Sequence, residues 1–187
     1  MFQDGRQDER ILLFAVGLLT KAGRKVDAEA HLRRAFDKAP SLRLYAPLRK
    51  LGGKAGHDYA VKSLESRLAG QGRASWGYPA DLLIQILMDE ALFEDAWAAV
   101  SRHGASPGLK DALARSSEGA YPRKALAIYI ERVDQLAGGG GDPAYTEAVA
   151  LIRHMAALRS AGEQATYVAD LKVRFGRRRN FMKLLES

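Results

Sequence analysis

The sequence predicts an all-α fold, a degenerate TPR-like array of helical hairpins (an α-solenoid). Apolar residues recur at helical spacing along nearly the whole chain, and no stretch shows the strict alternation that is typical of a half-buried strand. Prolines and glycines interrupt these amphipathic segments at short intervals, so neighbouring helices should run antiparallel. The 187 residues suit a single helical-repeat domain, residues 1–187.

Each helix follows from an apolar stripe and the breakers at its ends. Proline is tolerated in the first helical turn, and Pro107, Pro122 and Pro143 stand where such turns are expected. Gly176 is expected to close a helix in the left-handed conformation. The predicted helices are 8–22, 26–38, 41–51, 57–69, 79–90, 92–103, 107–117, 121–137, 143–160, 163–175 and 178–186.

Weak internal similarity supports a repeat architecture. The segment "EDAWAAV" at 94–100 aligns with "RKALAIY" at 123–129, a shift of 29 residues. The segment "AYPRKALAIY" at 120–129 aligns with "AYTEAVALIR" at 144–153, a shift of 24 residues. Because the two shifts differ, a degenerate array is predicted in place of a regular one.

Four consecutive glycines at 138–141 predict a flexible joint at 138–142, before the C-terminal helices in 143–187. Glycine has high conformational entropy in the unfolded chain and no side chain to pack. The run lacks the flanking strand and the Lys-Ser/Thr pair of a phosphate-binding loop. A mobile backbone that is open to proteolysis is therefore expected there.

The charge and composition limit the possible partners and compartments. The formal net charge is +7, with basic residues concentrated at both ends of the chain and acidic residues in the middle. There is no cysteine, which removes disulfides, thiolate zinc sites and cysteine nucleophiles and suits the cytoplasm. The longest apolar run, 11–19, is too short to cross a bilayer, which needs about 20 residues, so no membrane association is expected.

No catalytic, cofactor-binding or metal-binding residue is predicted. The four histidines, His31, His57, His103 and His154, lie too far apart in sequence for a helix to present two of them to a metal. The stretch "LGGKAGHDYA" at 51–60 lacks the spacing of a nucleotide-binding loop and is interpreted as a hinge. No serine has the GxSxG context of a hydrolase. The chain is therefore expected not to be an enzyme.

Two clusters have both a functional and a structural interpretation. Asp89, Glu90, Glu94 and Asp95 could bind a cation, but they lack the alternating ligands and turn glycine of a calcium loop, so a solvated acidic rim is favoured. A group of aromatic side chains could line a peptide groove, but packing between hairpins is favoured. These aromatic residues are Trp76, Tyr78, Phe93 and Trp97.

The last third of the chain carries a family resemblance. Its residues are "YPRKALAIYIERVDQL", "YTEAVALIRHMAALRSAGEQATYVADLKVRF" and the terminal "RRRNFMKLL". On these segments, 121–187 resembles the C-terminal helical region of bacterial SWIM zinc-finger proteins. The resemblance implies an all-helical module beside a Cys-x-Cys…Cys-x-His zinc motif, with protein or nucleic acid as partner. Because this chain has no cysteine, it is either the C-terminal part of a longer protein or a stand-alone relative.

The basic C-terminal segment is the one candidate binding site. Arg177, Arg178 and Arg179 would begin the last helix, where the helix dipole disfavours cations. Phe181 should dock that helix and hold the three arginines at a defined edge. With Lys183 they are hypothesised to form an anion-binding or partner-binding edge, and the alternative is a solvated face. No cofactor is implied, and the oligomeric state is left open.

These observations predict a non-enzymatic helical-repeat interaction module that binds a protein partner. The alternative is a nucleic-acid-binding accessory domain that uses the basic C-terminal edge. The two differ in salt dependence, because binding to phosphates releases counterions and weakens steeply as the salt concentration rises, whereas binding through apolar anchors does not.

Overall fold

The computed structural model describes residues 4–70 and 78–186, and the all-α prediction is confirmed. Of these residues 85% are helical and none lies in a strand. They divide into two compact units, an N-terminal unit of residues 1–106 and a C-terminal unit of residues 107–187. The helices are α1 (Asp4–Lys21), α2 (Lys25–Lys38), α3 (Leu42–Gly70), α4 (Asp81–Asp89), α5 (Phe93–His103), α6 (Pro107–Ser117), α7 (Pro122–Gly139), α8 (Asp142–Met155), α9 (Ala161–Phe175) and α10 (Arg179–Glu186).

In the N-terminal unit, helices that follow one another in sequence pack against each other, from α1 on α2 to α4 on α5. Helices α2 to α5 each bury a set of apolar side chains on one face, as their periodicity predicts. Helix α2, for example, buries Leu32 and Phe36 completely, at the i, i+4 spacing of one helix face. Trp97 of α5 is buried, in agreement with the interpretation as a packing residue, whereas Tyr78 is exposed and Trp76 lies outside the described residues.

Helix α3 contains a sharp kink where the sequence predicts the boundary between two helices, 41–51 and 57–69. Gly53 has φ +56° and ψ −136°, a backbone conformation that residues with a Cβ rarely adopt. The kink brings the Leu48 carbonyl close to Gly56, where a Cβ would lie 2.4 Å from that oxygen. The stretch interpreted as a hinge is therefore a sharp bend between two helical segments of α3, in agreement with the two predicted helices.

In the C-terminal unit, α7 packs against both α6 and α8, and α10 packs against α8 and α9. Phe181 of α10 is completely buried. Its ring lies 5.4 Å from the ring of Tyr145 and 6.0 Å from that of Phe175, centroid to centroid. The predicted docking of the last helix is confirmed, and an aromatic cluster holds it.

The end of α8 and the start of α9 differ from their predicted positions for local reasons. Helix α8 ends at Met155, and a short 3-10 turn, Ala156–Leu158, follows it. Helix α9 begins at Ala161 because Ser160 and Glu163 form a capping box: the Ser160 hydroxyl accepts from the Glu163 amide, and the Glu163 carboxylate accepts from the Ser160 amide. The capping residues are present in the sequence, but the predicted boundaries place Ser160 in the preceding helix.

The connection between α7 and α8 is shorter than the predicted joint. Gly138 and Gly139 form the end of α7, so only Gly140 and Gly141 separate the two helices, with φ of +80° and +96°. Glycine tolerates these positive φ values without strain, which explains its presence at this tight turn. The proteolytic sensitivity of this segment stays a prediction.

Among the described helices, none combines the length and the apolar character that crossing a bilayer requires.

Candidate functional site

A pocket of about 340 Å³ opens in the C-terminal unit across three consecutive helices. Helix α7 packs against both α6 and α8, and residues of the two outer helices flank those of α7 along the pocket. Helical spacing explains the lining, because residues three or four apart share a face. The lining residues are Asp111, Arg115, Glu118, Tyr129, Arg132, Glu147, Ala150, Leu151 and His154.

Glu118 is the centre of the polar network in this pocket. It follows the last residue of α6, and its Oε2 atom accepts a hydrogen bond of 2.6 Å from the Tyr129 hydroxyl of α7. The same oxygen lies 2.8 Å from Nε2 of His154 on α8. The Tyr129 and His154 rings meet edge to face, with centroids 5.6 Å apart. One carboxylate thus links all three helices of the pocket.

The surroundings set the protonation states of this network. Burial alone would raise the pKa of Glu118, but the hydrogen bonds from Tyr129 and His154 outweigh it and hold that pKa below its ordinary value of 4.5. Burial, and then the hydrogen bond to Glu118, raise the pKa of the Tyr129 hydroxyl well above its ordinary value. At neutral pH the carboxylate is therefore an ionised acceptor and the phenol a neutral donor.

The pocket wall also contains an ion pair between helices. Arg132 of α7 donates to Glu147 of α8, with 2.9 Å between Nη2 and Oε1. Arg115 of α6 lowers the pKa of Glu118 through its charge. The lining holds three carboxylates against two guanidinium groups, so an incoming donor meets a slight excess of negative charge.

A second tyrosine–glutamate–histidine network lies in the N-terminal unit. Glu90, which follows α4, accepts a 2.7 Å hydrogen bond from the Tyr45 hydroxyl and a bidentate pair from Arg49 at 2.8 and 2.9 Å. His57 Nδ1 lies 2.9 Å from the same tyrosine oxygen. The hydrogen bonds from Arg49 and then Tyr45 lower the pKa of Glu90. Because Tyr45 and His57 lie on opposite sides of the bend at Gly53, this network holds the bend against α4.

This network corrects one interpretation of the acidic segment. Glu90 is half-buried and bound to Tyr45 and Arg49, so it does not belong to a solvated rim. Its neighbour Asp89 is exposed and accepts a hydrogen bond from Gln85. Glu94 and Asp95 are exposed in the first turn of α5, where negative charge favours the helix dipole.

The structure separates the members of the predicted basic edge. Arg177, Arg179 and Lys183 are exposed and have no acceptor among the described residues. Arg178 instead donates to the backbone carbonyl of Gly138 over 3.1 Å, and so caps the C-terminal end of α7. Gly176 has φ −55°, so α9 ends without the expected left-handed residue.

Sequence reasoning did not find the pocket. Glu118 and His154 lie 36 residues apart and meet only because α6 and α8 flank the same helix. In the described ranges, no group of three or more histidine, aspartate or glutamate side chains is placed to hold a metal ion. No family model, curated protein or solved structure shows a significant match to this chain.

The Glu118 network makes stability dependent on pH. Since the pKa of Glu118 is lower in the folded state, its contribution is fully present above the ordinary value of 4.5 and is lost as pH falls through the folded value. We expect Glu118→Gln to lower the free energy of unfolding by about 1 kcal/mol at pH 7. Urea titrations at pH 7 and pH 3 measure this difference, which should shrink at the lower pH. Glu65→Gln, at an exposed position, is the control, and an equal loss in both variants would contradict the expectation.

Proposed function

We propose that this chain is a non-enzymatic, TPR-like helical-hairpin module that binds a segment of a protein partner in the pocket across α6, α7 and α8. The observation that supports the proposal is the ionisation and hydrogen bonding of the Glu118 carboxylate. This carboxylate is ionised and held by Tyr129 and His154 through Oε2, while Oε1 accepts no hydrogen bond from the described residues. A preorganised acceptor beside apolar side chains is typical of a recognition pocket.

The pocket chemistry favours an anchor side chain with an apolar stem and an N–H donor at its tip, lysine or arginine. The stem would lie along Leu151, Ala150 and the Tyr129 ring, all of which line the pocket. The tip would donate to the free oxygen of Glu118. Such a charge-assisted hydrogen bond is stronger than one between neutral groups. The excess of one carboxylate over the guanidinium groups in the lining adds to this preference.

Two members of this network, Tyr129 and Glu118, are poorly suited to acid–base catalysis. The raised pKa of Tyr129 makes its hydroxyl a weak acid at neutral pH, and the lowered pKa of Glu118 makes its carboxylate a weak base. The pocket lining holds no serine, threonine or lysine that could serve as a nucleophile. These features support binding as the role of the pocket.

Selection of displayed peptides on the parent protein tests this function. We expect the selected peptides to share a lysine or arginine and to bind Ala150→Trp at least tenfold more weakly than the parent, because the indole occupies the pocket. Ala127→Trp makes the same change at an exposed position of α7 outside the lining, and should bind the peptides as the parent does. Calorimetry on each variant gives the affinities.

Equal affinity of the selected peptides for the parent and Ala150→Trp would contradict the pocket as the binding site. Glu118→Gln gives a second readout, since it keeps the shape of the side chain and removes its charge. If the peptides bind through a cationic anchor, their affinity for this variant should be lower than their affinity for the parent. The difference between the two affinities should diminish at high salt.

A second candidate function rests on three cations without an acceptor in the described part of the chain, Arg177, Arg179 and Lys183. They are exposed around the start of α10, which Phe181 fixes in place, so they form a defined basic edge that would suit phosphate groups. The resemblance of 121–187 to SWIM zinc-finger proteins supports this class of partner, and with it a place within a longer protein of that kind.

Fluorescence anisotropy with a labelled single-stranded oligonucleotide tests the basic edge. Replacing all three cations by alanine should weaken binding. It should also reduce the slope of the logarithm of the binding constant against the logarithm of the salt concentration, by roughly one unit for each phosphate that is no longer neutralised. Arg178→Ala is a separate variant: we expect it to lower the free energy of unfolding by about 1 kcal/mol, because the Gly138 carbonyl loses its donor. Unchanged binding and salt slope in the triple variant would contradict the second candidate.

A further inference from the structure

A second, smaller cavity adjoins the pocket across α6, α7 and α8. It has a volume of about 20 Å³ and is lined by residues of α6 and α7 alone. Asp111 and Arg132 line both cavities, so the two are neighbours on the surface of the C-terminal unit. Pro107 and Ile128 give the smaller cavity an apolar wall.

Asp111, where the two cavities meet, is a carboxylate without a donor in the described part of the chain. It is half-buried on α6, and it neither accepts a hydrogen bond nor forms an ion pair there. Acceptors that folding removes from water are usually given a donor by the chain itself. Because Asp111 lines both cavities, its carboxylate is placed to accept a hydrogen bond from a segment that spans them.

We propose that the partner segment whose cationic anchor binds beside Glu118 continues in extended conformation past Asp111 and places a small aliphatic side chain, alanine or valine, in the smaller cavity. Asp111 accepts the backbone N–H of the residue between the two anchors. This inference rests on the proposed function of the pocket. It adds to that function a second anchor of defined size and spacing.

The volume and the charge of the smaller cavity define the second anchor. A volume of about 20 Å³ has room for a group the size of one methyl or one water molecule, so leucine or phenylalanine would not fit. The lining contains two cations, Lys110 and Arg132, and two carboxylates, Asp111 and Glu131. Because these charges balance, the cavity favours neither sign, and its apolar wall favours a hydrocarbon side chain.

The spacing of the cavities fits alternate residues of an extended segment. Lys110 lines only the smaller cavity and Arg115 only the larger one, and these two residues are about 7.5 Å apart along the axis of α6. In an extended segment, side chains i and i+2 point to the same side and are about 6.6 Å apart. The backbone of the residue between them then passes Asp111, and a carboxylate is a strong acceptor for a backbone N–H.

Filling the smaller cavity tests the second anchor. In the peptides selected on the parent, alanine or valine should predominate two residues from the cationic anchor. Gln135 is exposed on α7 and lines only the smaller cavity, so these peptides should bind Gln135→Trp about tenfold more weakly than the parent. Their glycine counterparts should bind both proteins to within about threefold. Ala127→Trp, outside both cavities, is the control and should bind every peptide as the parent does.

Removing the donor and the acceptor in turn tests the role of Asp111. Asp111→Ala should lower the affinity for the selected peptides by about tenfold, the loss that corresponds to one hydrogen bond to a charged group. N-methylation of the peptide at the residue between the anchors should lower its affinity for the parent by a similar factor. It should have little further effect on binding to Asp111→Ala, because the two changes remove the same hydrogen bond. An equal effect of N-methylation on both proteins would overturn Asp111 as the acceptor.

Failure of this inference and failure of the proposed function give different results. Peptides that bind the parent and Ala150→Trp equally, or a selection that enriches no peptide, would contradict the pocket and the second anchor together. Peptides that lose affinity for Ala150→Trp but bind Gln135→Trp and Asp111→Ala as they bind the parent would support the pocket and overturn the second anchor. Calorimetry on the same set of variants and peptides distinguishes these results.

Discussion

Phe181→Ala should lower the free energy of unfolding by about 3–5 kcal/mol, the range for removing a fully buried aromatic ring. The ring lies between Tyr145 and Phe175, so its removal leaves a cavity in the aromatic cluster that docks α10. Urea unfolding followed by circular dichroism measures the change. Because α10 is the last described helix, part of the effect should appear as local undocking, which hydrogen exchange of 179–186 would detect.

The control for Phe181→Ala is Val173→Ala on α9. Val173 is 84% exposed, so its truncation should change the free energy of unfolding by less than about 0.5 kcal/mol. If Phe181→Ala were equally mild, α10 would contribute nothing to the C-terminal unit, and the basic edge of Arg177, Arg179 and Lys183 would have no fixed position. The stability of α10 therefore bears directly on the second candidate function.

Gly56→Ala should lower the free energy of unfolding by about 2–3 kcal/mol, a larger effect than its single added methyl group suggests. The bend at Gly53 folds α3 back so far that the new Cβ would lie 2.4 Å from the carbonyl oxygen of Leu48. In a straight helix these residues would be about 12 Å apart along the axis. Because the obstacle is backbone, the bend itself must open, and the Tyr45–Glu90–His57 network should loosen with it.

Gly17→Ala is the matched control in the same unit. Gly17 lies inside α1, has no atom within 4 Å of an added Cβ and has no positive φ, so alanine should stabilise the helix by up to about 1 kcal/mol. Thermal melts of the two variants should therefore shift in opposite directions. A melting temperature of Gly56→Ala at or above that of the parent would show that α3 can accommodate the methyl group without opening its bend.

The helices are predictable from sequence because their signals are local. Apolar spacing, prolines in first turns and the docking stripe around Phe181 depend on residues within a few turns of one another. The bend at Gly53 is also visible as a glycine-rich interruption. Where a predicted boundary is wrong, as at Ser160, a capping pair close in sequence moves the helix start by two residues.

The candidate site depends on packing that no local pattern encodes. Glu118, Tyr129 and His154 come from consecutive helices, and only the packing of α6 and α8 against α7 brings their side chains within hydrogen-bonding distance. The same reason explains Arg178, whose partner carbonyl at Gly138 is 40 residues away in sequence. Helical periodicity reveals which face of a helix is buried, but the identity of the facing residues, and with it the pocket, follows only from the tertiary arrangement.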